Sequence, residues 1–168
     1  MYLVKQIKEV MLGSLPVIIL YVISFNSFEG LKQNDNLLLF SFNFQMIIIY
    51  IYVLKFPDYL GLGHIFLAGV INDVVVGTPL GASSLAYLIL CFFSSYIKNV
   101  TIRSKMTTDW FTFIPAIFFS NLIFFTIINN FSDISFYYIE VLRNSFFTFL
   151  FFPLFYFLFN NYQKRFNK

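Results

Sequence analysis

Asp73 and Arg143 are charged side chains that stand inside apolar stretches of this sequence. A charge in such a run is costly, so each needs a partner, a proton or a polar cavity. In a six-span chain both fall on the same, outer side of the membrane, which makes an Asp73–Arg143 ion pair the expected arrangement. Reversing Asp73 to Arg should then destabilise the chain, and reversing Arg143 to Asp as well should restore it. Acid–base catalysis would need a second titratable group at the same depth. His64, the only histidine, lies about 13 Å from Asp73 along a helix axis, so the two share no site. Asp58 is nearer to His64 but belongs to the preceding loop, and His64 reads as a solvated residue near a membrane surface. No metal-ligand spacing, phosphate loop or nucleophile motif occurs. Cys91 is the single cysteine, which excludes an intrachain disulfide or a cysteine cluster and reads as a buried thiol. We therefore expect no catalytic, cofactor-binding or metal residues, and a chemistry of packing and association.

The elements that hold these residues follow from composition. The chain has 168 residues, 59% hydrophobic and 11% charged, against about 25% charged in ordinary soluble domains. With 26 Phe and 11 Tyr it is not disordered either. Its apolar runs are of helix length and do not alternate, which favours membrane helices over a β-barrel. Six spans are expected, at about 10–25, 37–54, 59–77, 80–97, 110–128 and 139–159, in one all-α transmembrane domain over residues 1–168. The first, with Pro16 as a kink, lacks a small-residue cleavage site and reads as a retained helix. Pro115 and Pro153 fall in the fifth and sixth. Asn43, Gln45, Asn72, Asn121, Asn144 and Thr148 either bridge helices or line a solute pocket, and bridging is the preferred reading.

Lysine and arginine set the orientation. Nine of the eleven, Lys5, Lys8, Lys55, Lys98, Arg103, Lys105, Lys164, Arg165 and Lys168, fall on one side of a six-span chain, and only Lys32 and Arg143 on the other. Both termini are expected in the cytoplasm, with the basic tail as a topology anchor. The net charge of +3 is too dispersed for nucleic acid. Trp110, Tyr59, Tyr137, Tyr138 and Tyr162 stand near span ends and read as interface markers.

One segment differs from the rest. Between Gly61 and Gly81 lie five of the seven glycines, and Gly69, Asp73 and Gly77, spaced by four, predict one small helix face open to close approach. Pro79 and Gly81 make the turn into the next span. The pattern Gly61-x-Gly63, Gly69, Asp73, Gly77, Leu80-Gly81 followed by the Leu85 and Leu88 stretch, in a small six-span chain with Pro153 late in its last span, resembles the bacterial rod shape-determining protein MreD family. The entry to the second span, Asn34-Asp35-Asn36-Leu37, departs from the Arg-Pro or proline-containing entry common there.

The resemblance implies a non-enzymatic scaffold of the cell-elongation machinery in the inner membrane. Its implied partner is an MreC-like single-span protein, and through it MreB, RodA and a transpeptidase of peptidoglycan synthesis. It also implies a fold similar to the substrate-binding subunits of energy-coupling-factor transporters. A solute-binding transporter subunit is the alternative function. Gly69, Asp73, Gly77, Pro79 and Gly81 are the residues expected to form the packing or partner face.

Overall fold

The computed structural model describes residues 2–25, 43–55, 57, 60–101, 105–131 and 138–166. Among them are six helices and no strand: α1 (Tyr2–Phe25), α2 (Phe44–Lys55), α3 (Leu62–Val76), α4 (Ala82–Val100), α5 (Met106–Phe131) and α6 (Tyr138–Phe166). Residue 37, where the second span was expected to open, lies outside the described residues, as do Lys32, Asp58, Tyr59, Arg103, Tyr137 and Lys168. Most helices run several residues beyond the expected spans. Apolar content marks only the stretch suited to hydrocarbon, whereas Lys, Glu and Gln continue a helix readily past it. Two helices, Met106–Phe131 and Leu142–Asn161 within α6, are long and apolar enough to cross a membrane, and 14–25, α2 and α3 are shorter apolar helices.

The centre is α2. Its residues Gln45 to Leu54 are all buried, as expected of a helix apolar on every side. Asn43 starts it: the side-chain Oδ1 accepts the Met46 N–H at 3.1 Å, which satisfies one of the first-turn donors. The Asn43 N–H in turn donates to Thr148 Oγ1 at 2.9 Å, tying α2 to α6. Deeper in, the rings of Tyr50, Phe113 and Phe152 form a three-helix aromatic cluster with centroids 4.8 to 5.8 Å apart. Such pairs add to what area burial alone contributes. Around this hub α3 packs on α4 and α1, α4 on α5, and α5 on α6.

The polar side chains of the helices bridge one another. Gln45 donates to Ser24 Oγ at 2.9 Å and accepts from the Tyr87 hydroxyl, joining α1, α2 and α4. Ser94 reaches the Tyr50 carbonyl at 3.0 Å, and Asn121 donates to Ser145 Oγ at 2.7 Å. The outward faces, by contrast, are apolar: Phe111, Ile114, Phe118 and Leu122 on α5 and Leu142, Phe146, Leu150 and Leu154 on α6 are exposed. Apolar surface of that extent marks contact with lipid or protein, since soluble monomers rarely carry it.

Helices α1, α5 and α6 continue through Pro16, Pro115 and Pro153. A proline inside a helix frees the carbonyl four residues before it, and for Pro153 that carbonyl belongs to Phe149. The indole N–H of Trp110 donates to it at 2.9 Å, and the Trp110 ring stacks on that of Phe149 at 4.9 Å. Trp110, expected only to mark the interface, joins α5 to α6 at the proline break.

Candidate functional site

The glycine-rich segment folds into the α3–α4 hairpin, and each of its marked residues has a distinct task. At Gly69 the two helices touch: a Cβ there would stand 2.5 Å from the Ser84 Cα. Only a hydrogen fits at that crossing. Ser84 seals it by donating its hydroxyl to the Phe66 carbonyl at 3.0 Å, and Asn72 donates to Ser83 Oγ at 3.0 Å one turn on.

Gly77 does not extend this contact face. It sits after the last residue of α3 with φ of 75°, exposed, and a Cβ added to it would meet nothing within 4 Å. The spacing of four placed it on the helical stripe, but α3 ends at Val76 because the chain turns left-handed, a conformation that glycine adopts freely. The N–H groups of Gly77 and Thr78 both return to the Asp73 carbonyl, at 2.9 and 3.0 Å, closing a Schellman-type stop. Pro79 accepts the Ala82 N–H at 3.1 Å. Gly81, at φ of 98°, stands at the N-cap position of α4 and has no side chain to cap it.

Asp73 supplies that cap from the other helix. Fully buried, its carboxylate accepts the Gly81 N–H at 2.8 Å, the Ser83 N–H at 2.9 Å and the Thr78 hydroxyl at 2.9 Å. The Ser83 N–H is one of the first-turn donors that an N-cap oxygen ordinarily takes, and the negative charge faces the positive end of the α4 dipole. One residue thus ends α3 with its carbonyl and starts α4 with its side chain.

This corrects the expected ion pair with Arg143. The Asp73 oxygens are taken by groups of its own hairpin, and α6, which carries Arg143, packs on α5 and α2 while α3 packs on α4 and α1. Arg143 Nε is buried with no hydrogen-bond partner among the described residues.

The ion pair of the described residues lies elsewhere, between Lys55 Nζ and Asp109 Oδ2 at 4.0 Å. Lys55 ends α2 and is 23% exposed, whereas the Asp109 side chain is 1% exposed in the first turn of α5. Tyr156 of α6 completes the cluster. Its hydroxyl accepts from Lys55 and donates to Asp109 Oδ2 at 3.4 Å, and Lys55 Nζ lies 4.0 Å from the Tyr156 ring centre. Sequence reasoning passed over Asp109 because Thr107-Thr108-Asp109 follows a basic loop. The usable signal was spacing: Asp109, Phe113, Ala116, Ile117 and Ser120 form one buried stripe of α5.

His64 is exposed as expected, but it is not simply solvated: Nδ1 lies 3.1 Å from the Tyr21 hydroxyl, linking α3 to α1. Cys91 is a buried free thiol.

Compared with known families, residues 8–162 match the model described as rod shape-determining protein MreD. No curated protein and no solved structure matches, so the expected likeness to energy-coupling-factor subunits finds no support.

Proposed function

The chain belongs to the rod shape-determining protein MreD family, and from that premise we propose that it is a six-span inner-membrane scaffold that holds an MreC-like single-span protein. The family places it in rod-shape determination and in the membrane. In this reading both termini are cytoplasmic, because nine of eleven Lys and Arg residues then fall on that side. The partner would link it to MreB, RodA and a transpeptidase, and so to peptidoglycan synthesis, without catalysis by the chain itself.

The observation that carries this reading is the α3–α4 hairpin. Its interior is fixed by the Gly69 crossing and the Asp73 cap, while Leu62, Phe66, Leu67, Val74 and Leu85 project from it, exposed and apolar. A rigid hairpin with an apolar exterior suits association with a single helix inside a bilayer, where shape and close packing decide affinity. The helix-bridging roles of Gln45, Asn43, Asn72 and Asn121 also favour a scaffold over a solute pocket, since they are already bonded to Ser24, Thr148, Ser83 and Ser145 of other helices.

Affinity purification of the tagged protein from mild-detergent membranes tests the proposal. Stoichiometric recovery of an MreC-like protein supports it. Recovery with ATPase subunits, or alone with a bound small solute, overturns it in favour of transport.

A further inference from the structure

Arg143 carries a charge that the described protein does not meet. It lies about 8 Å along the axis from the first residue of α6, and its Nε is buried without a hydrogen-bond partner. Of the carboxylates whose side chains are described, Asp73 is engaged by its hairpin and Asp109 by Lys55 and Tyr156. A guanidinium at such a depth demands an anion.

The surroundings indicate where that anion comes from. Ile139, Phe146 and Leu150 stand at four before, three after and seven after Arg143 on one helical strip, and all three are exposed. On the adjoining side runs the polar seam in which Asn121 donates to Ser145 and Asn144. Arg143 therefore sits where an apolar surface open to lipid meets a polar seam. Its planar fork of donors matches a phosphate oxygen pair better than a lone ammonium does.

We propose that Arg143 binds the phosphodiester of an anionic phospholipid, whose acyl chains lie along Ile139, Phe146 and Leu150. The site rests on the membrane-spanning reading of α6 but not on the identity of any protein partner. Given the orientation proposed above, the lipid belongs to the outer leaflet.

Native mass spectrometry of the detergent-purified protein, offered phosphatidylglycerol and phosphatidylcholine of matched chains, tests it. Wild type should retain phosphatidylglycerol several-fold over phosphatidylcholine. Arg143→Ala and the size-conserving Arg143→Gln should lose that preference, Arg143→Lys should keep part of it, and Lys164→Ala in the basic tail should keep it all. Excess inorganic phosphate should leave the lipid bound, and displacement by it identifies a free-phosphate site and overturns the lipid assignment. Glu140 lies three residues earlier on α6. If Glu140→Gln lowers thermal stability as much as Arg143→Gln and neither changes lipid preference, the charge is met within the chain and the proposal fails. It fails equally if Arg143→Gln keeps its lipid preference but loses a co-purifying protein. Loss of lipid preference with that protein retained separates this site from the scaffold reading.

Discussion

Trp110 donates its indole N–H to the Phe149 carbonyl, the same carbonyl that Pro153 leaves without its helical partner. A residue on α5 thereby repairs a gap that a proline opens in α6. Trp110→Phe keeps the ring stack and removes the donor, at an expected cost of about 1 kcal/mol for an orphaned, part-buried carbonyl. Pro153→Ala restores the Phe149 partner within α6, so Trp110→Phe should cost much less on that background. Thermal unfolding in detergent of the two single variants and the double variant measures the coupling. Equal costs on both backgrounds would refute it.

The Gly69 crossing predicts a sharp difference among glycines of one segment. Gly69→Ala forces α3 away from the Ser84 backbone and should destabilise by about 1–3 kcal/mol. Gly63→Ala, whose new methyl meets nothing within 4 Å, should be neutral. Gly77→Ala should cost about 1 kcal/mol through its left-handed backbone, and Gly77→Asn less. The four melting temperatures, taken with co-purification of the partner, rank the roles.

Asp73 as a cap across the hairpin predicts the fate of a charge exchange. Asp73→Arg removes acceptors from Gly81, Ser83 and Thr78, and Arg143→Asp cannot return them. The double reversal should be no more stable than the single one. Asp73→Asn retains one side-chain acceptor but turns its amide toward backbone donors, with an expected loss of about 1–2 kcal/mol. Proteolysis of the α3–α4 turn reports each case.

The Lys55–Asp109–Tyr156 cluster should behave as a unit. Removing one member leaves the buried Asp109 or its partners uncompensated, at about 2–4 kcal/mol after allowance for the partial exposure of Lys55. Asp109→Leu combined with Lys55→Met should recover a large part of the Asp109→Leu loss. A double-mutant cycle on unfolding free energies decides it, and strict additivity would count against the cluster.

The sequence displayed the helical class, the apolar runs and the importance of 61–81, because glycine clusters and carboxylates within apolar runs are rare enough to stand out. It did not display which neighbour each residue would meet. Asp73 looked like half of an ion pair because a buried carboxylate suggests a cation, and nothing local told that Gly81 would leave α4 in need of an acceptor. Gly77 fitted a helical stripe by spacing until the turn ended the helix one residue earlier. Asp109 was hidden by a basic, threonine-rich approach, although its register with Phe113 and Ile117 placed it on the buried side.

The hairpin and the hub differ in how far apart in the chain their fastenings lie. Asp73 finds its partners within ten residues and Gly69 meets Ser84 fifteen residues on, so α3 and α4 can close as soon as both are synthesised. By contrast, α2 is fastened to Thr112, Thr148 and Tyr156, up to 105 residues away. At twelve residues it is about 18 Å long, short of the roughly 30 Å of a hydrocarbon layer. During biogenesis the centre of this protein is therefore the last part to find its place, and a nascent chain lacking α6 holds a finished hairpin beside a helix still without its moorings.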